Sequence, residues 1–369
     1  MQYVLWVGIL VPFIGWPQLG QAASVRLSWA AWSCLCTIVS LSSKRLRDVG
    51  FLILSVFLSY FIIRQAVFYF PTVIWDRLSN AWMVIAGFGG AFCWTMMLAF
   101  GFKSIVEYAK NPKRFLAPVL FSILSANFFF YLLQTNGLWT KWFSYDSPGG
   151  IFSSRTVYAI WSAVSFPILI KWKKWAVIPA VIGLLLGRSS TALMSVFAVM
   201  AFLYWEKVRL AWKILALIVP VLFVWFVDNG FRLFFMSISQ KLYTQFIVLK
   251  AIMANPMGIG FGFWTYQKVI QETGVSGTQV ILPHPASDFL HFVLRFGIPS
   301  IVILALFGLW FFKSIRRDYL SASLVAFIPP IFIQGSLSNP EIGFLAYILL
   351  AVFLIERSEY AAWKTKESR

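Results

Sequence analysis

The two histidines of this chain lie close to an aspartate and an arginine in the segment 284–295. His284, Asp288, His291 and Arg295 follow the spacing i, i+4, i+7, i+11, which places side chains on one face of an α-helix. Imidazole and carboxylate groups in such a column are candidates for moving a proton to or from a reacting hydroxyl. The alternative is a self-contained Asp–His–Arg network that only holds helices together.

Two arginines stand beside small polar residues in otherwise apolar surroundings. Arg155 ends the run Pro-Gly-Gly-Ile-Phe-Ser-Ser-Arg, and Arg188 lies in Gly-Arg-Ser-Ser-Thr between two apolar stretches. A guanidinium next to the free N–H groups of a helix N-terminus can bind an anionic oxygen. Alternatively, Arg155 extends to the lipid headgroups, and Arg188 faces lipid phosphates from a turn.

A third basic candidate, Lys241, precedes a glycine-rich stretch that contains Gly258, Gly260 and Gly262. These glycines permit a close approach of the backbone to a ligand, or a sharp re-entry towards a membrane. The stretch is not a dinucleotide fingerprint, because no strand precedes it and its spacing differs. A phosphate-loop NTPase is also excluded, because the chain lacks the Gly-x4-Gly-Lys-Ser/Thr run.

The elements that must position these residues are apolar. Hydrophobic residues make up 60% of the 369 positions and charged residues 12%, which argues strongly against a water-soluble protein. Because unsatisfied backbone groups are costly in lipid, each apolar run is predicted to be an α-helix. We therefore predict an all-α polytopic membrane protein, a single transmembrane domain over 1–369, with about twelve spans: 3–19, 27–42, 50–69, 81–101, 115–134, 151–170, 175–188, 189–205, 211–228, 288–312, 320–335 and 342–356.

The net charge of +18 reports topology rather than affinity for nucleic acid. Most lysines and arginines cluster in alternate short loops, and such loops prefer the cytoplasm. With an even number of spans, both termini are predicted to be cytoplasmic. Arg155, Arg188 and Lys241 then fall on or near the outer side.

The one sizeable extramembrane segment, 228–287, is predicted to be an outer loop between helices 9 and 10. Its stretch 239–254 is amphipathic and is expected to form a helix against the membrane or the bundle. The apolar face of that helix, opposite Lys241 and Lys250, is expected to contain Tyr243, Phe246, Ile247, Ala251 and Met253.

Neither the cysteines nor the N-terminus suggests a further site. Cys34, Cys36 and Cys93 lie inside apolar runs without metal-ligand spacing, so we expect buried reduced thiols. Residues 1–23 lack a basic region before the apolar run, so we expect an uncleaved first span.

Four motifs in the region 150–300 together resemble the O-antigen ligase / polysaccharide polymerase superfamily of bacterial membrane glycosyltransferases. They are Gly-x-Phe-x-x-Arg at 150–155, Gly-Arg-Ser-Ser-Thr at 187–191, Asn-Pro-x-Gly-x-Gly-x-Gly at 255–262 after a basic residue, and His-x-x-Ser-Asp-Phe-Leu-x6-Gly-Ile-Pro at 284–299. Their order along the chain, more than any single motif, carries the resemblance.

The resemblance implies a metal-independent inverting glycosyltransferase, without cofactor, in the bacterial inner membrane. It would transfer or polymerise an undecaprenyl-pyrophosphate-linked glycan at the periplasmic face, onto another glycan or lipid A core. The outer loop 228–287 would then be periplasmic and carry part of the active site. The implied pyrophosphate-binding residues are Arg155, Arg188 and Lys241; the implied catalytic residues are His284, Asp288, Arg188 and Lys241; and the supporting residues are Gly258, Gly260, Gly262, His291 and Arg295.

The chain departs from the family pattern at two positions. Lys241 stands where the family usually has arginine, and Ala286 stands where it usually has histidine. Activation of the acceptor therefore stays open between His284, Asp288 and His291. A transporter or flippase of lipid-linked oligosaccharide is the alternative function, although the internal symmetry common in transporters is not visible in the sequence.

Overall fold

The computed structural model describes residues 112–138, 149–204 except 153, 228–259, 287–333 and 342–357 except 344, 347 and 351. Every regular element among these residues is helical, which confirms the all-α part of the prediction. The first four predicted spans and nearly all of the ninth lie outside the described residues, as do His284, Gly260 and Gly262.

Nine α-helices have defined bounds in the described part of the chain. They are α1 Pro112–Thr135, α2 Arg155–Trp172, α3 Ile178–Gly187, α4 Ser190–Tyr204, α5 Asp228–Ala254, α6 Asp288–Phe296, α7 Ser300–Ser314, α8 Tyr319–Val325 and α9 Ile328–Ile333. A short 3-10 helix, Lys174–Val177, connects α2 to α3. The chain divides into two compact units, of which the first is Met1–Ser189 with Leu337–Arg369 and the second is Ser190–Ser336.

One helix among the described residues, Leu116–Thr135, is long and apolar enough to cross a membrane. Shorter apolar helices follow at Lys174–Gly187, Ser190–Tyr204, Ser300–Ser314 and Tyr319–Ile333. These helices coincide with predicted apolar runs, but they do not establish twelve spans, so the span count stays a prediction.

In the first unit, α2 packs against both α1 and α3. Its first two turns are anchored by aromatic contacts: the Phe152 ring lies 5.9 Å from the Tyr158 ring and 5.1 Å from the Trp161 ring. All three side chains are fully buried. The start of α2 is therefore fixed by some of the largest buried side chains in the described core.

In the second unit, α4 packs on α8 and α9, and α6 packs on α5, α7 and α9. The helix α5 begins at Asp228, eleven residues before the predicted amphipathic stretch. Of its predicted apolar face, Ile247 and Ala251 are buried, whereas Phe246 and Met253 are exposed. The buried face follows the helical period more closely and consists of Thr244, Ile247, Val248, Ala251 and Ile252.

The predicted span 288–312 is two helices rather than one kinked helix. The first, α6, ends at Phe296, where the Gly297 N–H donates to the Val293 carbonyl and Gly297 has a φ of 84°. Pro299 then precedes the first residue of α7. Glycine reaches this positive φ without steric cost, and proline cannot continue the helical hydrogen bonding, so the pair ends one helix and starts another.

Candidate functional site

The two candidate arginines lie at the same end of the α2–α3 pair. Arg155 is the first residue of α2, and Arg188 follows the last residue of α3. A β-carbon added to Gly187 would lie 2.8 Å from the carbonyl oxygen of Arg155, so the two helix ends touch. Both arginines are exposed, and neither makes a hydrogen bond or ion pair in the described part of the chain. The first unit therefore exposes two arginines at neighbouring helix ends.

Two glycines, one helical turn apart, bring α2 and α3 into this close contact. An added β-carbon at Gly183 would clash with the Ser162 hydroxyl and lie 2.7 Å from the Tyr158 ring. At Gly187 it would clash with Ala159. A small-x3-small pattern of this type allows close helix packing in membranes. The sequence Gly-Leu-Leu-Leu-Gly at 183–187 has this pattern, but it was not among the motifs identified from the sequence.

Arg188 adopts a left-handed backbone conformation, with a φ of 43°. It is the only described residue other than glycine with a positive φ. Helices often end in this conformation, but the position is usually glycine, because a side chain there costs about 1–2 kcal/mol. An arginine at a position that favours glycine makes this turn a candidate functional site.

The turn before α2 is held by two side chains of α1. The carboxamide oxygen of Gln134 accepts hydrogen bonds from Gly149 N–H at 3.1 Å and Gly150 N–H at 3.0 Å. The carboxamide oxygen of Asn127 accepts from Ile151 N–H at 2.7 Å and Phe152 N–H at 3.4 Å. Four consecutive amides are thus bound before the Ser154 hydroxyl caps α2 through Val157 N–H. We call these two side chains the amide clamp.

In the second unit, the histidine helix α6 begins later than the sequence analysis expected. Ser287 is its N-cap, with the hydroxyl accepting from Leu290 N–H, and Asp288 is its first residue. His284 therefore precedes this helix, and the predicted column of four ionisable residues is reduced to Asp288, His291 and Arg295. An aspartate in the first turn also interacts favourably with the helix dipole, which gives Asp288 a structural role beside any chemical one.

His291 and Arg295 are bonded to each other. The Nε–H of Arg295 donates to the Nε2 of His291 at 3.1 Å, and Arg295 is almost completely buried. In this bond Nε2 of His291 is the acceptor. This nitrogen is consequently engaged inside the helix, which matches the structural alternative for these two residues.

The glycine-rich stretch meets the break after α6. Ile259 N–H donates to the Leu294 carbonyl at 2.8 Å, and Ile298 N–H donates to the Pro256 carbonyl at 2.7 Å. Gly258 and Gly297 face each other there with φ values of 81° and 84°. An added β-carbon at Gly258 would lie 2.5 Å from the Arg295 carbonyl oxygen. The close approach that Gly258 permits is therefore to the chain's own backbone.

Lys241 lies in α5, which packs against α6. The chain just after α5 is attached to the C-terminal part of α6 by the Ile259–Leu294 bond. Further back along α5, the Gln245 side chain donates to the Phe332 carbonyl, and the Phe332 ring stacks 5.6 Å from Phe289. Lys241 is one turn before Gln245, about 6 Å along the axis. It is partly buried, and this desolvation lowers the pKa of its ammonium.

The candidate residues thus form two groups. Arg155 and Arg188 lie at neighbouring helix ends in the first unit, whereas Lys241 and Asp288 belong to α5 and α6 of the second. His291 and Arg295 are bonded to each other within α6, and Gly258 packs against the Arg295 carbonyl. Asn127 and Gln134, which no motif contains, were missed because their role depends on a turn outside their own helix.

No model of a known protein family matches this chain, and a search of curated proteins finds no match.

Proposed function

We propose that this protein is a membrane-embedded glycosyltransferase of the O-antigen ligase or polysaccharide polymerase type. It transfers glycan from an undecaprenyl pyrophosphate carrier at the periplasmic face of the inner membrane. The observation that carries the proposal is the pairing of Arg155 and Arg188 at one end of α2 and α3. The guanidinium groups of these two exposed arginines match the charge of a pyrophosphate, and each can bind it through paired N–H donors.

The proposed membrane location is supported by α7, whose surface is apolar on nearly every side. A helix that is hydrophobic all round belongs in a membrane or deep in a core. Its large hydrophobic side chains are exposed rather than covered, which is unusual for a protein surface in water. They are Ile301, Val302, Ile303, Leu306, Phe307, Leu309, Trp310 and Phe312.

In the proposed reaction, an acceptor hydroxyl attacks the anomeric carbon of the lipid-linked glycan. The bond from that carbon to the pyrophosphate oxygen breaks, and the pyrophosphate leaves with the bonding electron pair. Arg155 and Arg188 stabilise this developing charge, because fixed cations need no rearrangement during the reaction. The sequence resemblance assigns the same role to Lys241. His284 or Asp288 orients the hydroxyl and accepts its proton. His291 is the weaker candidate for this step, since Nε2 is already bonded to Arg295.

The proposal is tested by three substitutions of Arg188 in the host cell. Arg188→Gly removes the charge and suits the left-handed backbone, Arg188→Ala removes the charge and retains the strain, and Arg188→Lys retains the charge. We expect both neutral variants to lose surface polymer at normal protein levels and Arg188→Lys to keep part of it. Unchanged surface polysaccharide in Arg188→Gly would refute the assignment.

The glycan profile also separates the two possible transfer reactions. Loss of long polymer with single repeats still attached identifies a polymerase. Accumulated lipid-linked polymer with bare lipid A core identifies a ligase. If the purified protein moves lipid-linked glycan across liposomes without forming a glycosidic bond, the protein is a flippase instead.

A further inference from the structure

Three lysines and two tryptophans form the corner where α2 ends and the 3-10 helix Lys174–Val177 begins. Lys171, Lys173 and Lys174 are exposed, and Trp172 and Trp175 are 37% and 53% exposed. We call these residues, 171–175, the Lys–Trp corner. The proposed glycosyl transfer does not use them, because they lie at the opposite end of α2 from Arg155.

The ammonium group of Lys173 has a defined position in this corner. Its Nζ lies 5.2 Å from the centroid of the Trp172 ring and 5.4 Å from that of Trp175. Both distances are within the range of cation–π attraction. Phe121 of α1 supports the two rings with edge contacts at 6.1 Å and 5.2 Å. The corner is thus a packed cluster of aromatic rings that fixes a cation.

In the proposed membrane, the corner lies near the boundary at which the apolar helix Leu116–Thr135 begins. Phe121 is five residues after Leu116, where the apolar helix Leu116–Thr135 begins, or about 7.5 Å along the axis. Tryptophan concentrates at this level, where its ring is apolar and its N–H is polar. Ile170 and Ile178 are exposed on either side of the corner. The surface therefore changes from cationic to apolar over a short distance.

We propose that the Lys–Trp corner binds the headgroup phosphate of an anionic phospholipid. The three lysines match the negative charge, while Trp175, Ile170 and Ile178 match the acyl chains beside it. A water-soluble anion or an acidic protein segment would use the charges but leave the exposed apolar side chains without contact. This site depends on the proposed membrane location, not on the proposed glycosyl transfer.

Lipid binding is tested on the full-length protein, purified in a neutral detergent with a mixture of phosphatidylglycerol and phosphatidylcholine. Bound lipids are counted by native mass spectrometry. We compare Lys171→Gln/Lys173→Gln/Lys174→Gln with Lys313→Gln/Arg316→Gln/Arg317→Gln, which removes equal charge from another basic loop. We expect the first variant to lose roughly tenfold in phosphatidylglycerol affinity and the second to change little.

Further measurements keep the proposal falsifiable if the triple variant folds poorly. Lys171→Arg/Lys173→Arg/Lys174→Arg should keep the preference for phosphatidylglycerol, and Trp175→Ser should weaken it with all three lysines present. Equal losses in both glutamine variants would overturn the proposal, as would full displacement of the lipid by millimolar inorganic phosphate. Normal glycan transfer in the variant that has lost lipid binding would leave both proposals intact.

Discussion

Gly187 lies against the carbonyl oxygen of Arg155, with no space for a β-carbon between the two helix ends. We predict that Gly187→Ala forces α2 and α3 apart and lowers the free energy of unfolding by about 1–3 kcal/mol. It should also lower glycan transfer, because it separates Arg155 from Arg188. Thermal unfolding in detergent and the surface glycan profile measure the two effects.

The matched control for this prediction is Gly308→Ala in α7, where an added β-carbon has no neighbour within 4 Å. That substitution should be neutral or stabilise by up to about 1 kcal/mol, because alanine favours the helix. Equal stability of the two variants would contradict the close packing of α2 on α3.

The amide clamp is predicted to position Arg155. Gln134→Met removes the acceptor of Gly149 N–H and Gly150 N–H and should cost about 1–3 kcal/mol in stability. It should also raise the Michaelis constant for the lipid-linked donor more than it lowers kcat. Gln134→Glu keeps an acceptor oxygen at this position and should restore the Michaelis constant. A glutamate variant as impaired as the methionine variant would argue against positioning through these bonds.

His291 is predicted to support Arg295 rather than to act as the base. In His291→Gln, the carboxamide oxygen can accept from the Nε–H of Arg295, so the variant should retain most of its activity. His291→Leu removes this acceptor and should destabilise the protein by about 1.5–3 kcal/mol. Activity is compared at equal amounts of folded protein. A stable but inactive His291→Gln would reassign this histidine to the chemistry.

The lowered pKa of Lys241 predicts a pH dependence of both activity and stability. The Lys241 ammonium loses its proton at a lower pH than that of an ordinary lysine. Glycan transfer should therefore fall as the pH rises into the alkaline range, whereas Lys241→Arg should stay active to higher pH. In the interval between the lowered pKa and the ordinary one, the unfolded state binds more protons, so stability rises with pH. Lys241→Met should lack this rise. If the wild type and Lys241→Arg lose activity at the same alkaline pH, Lys241 is excluded as the titrating group.

Helix positions in this chain could be predicted from sequence, because apolar run length dominates local structure. The predicted runs 115–134, 151–170 and 189–205 agree with α1, α2 and α4 within a few residues. Gly297 and Pro299 predict a kink within the run 288–312, and the structure has a complete break between two helices there. The early start of α5 could not be predicted this way, because it crosses a boundary between apolar and polar residues.

The sequence predicts that Arg155 and Arg188 lie on the same side of the membrane, but not that they lie at neighbouring helix ends. That arrangement depends on Gly187, and the sequence does not show which helix Gly187 faces. The glycines at 258–262 allow a close approach either by a ligand or by another part of the backbone. The sequence does not show which of the two occurs at Gly258.

Both ends of the segment 260–286 are attached to the same short helix. Ile259 binds α6 near its end through the Leu294 carbonyl, and Ser287 caps its start, so the two anchors are about 10 Å apart along the helix axis. These two attachments hold the described residues on either side of 260–286 to opposite parts of α6. A displacement of α6 would therefore move both ends of that segment together.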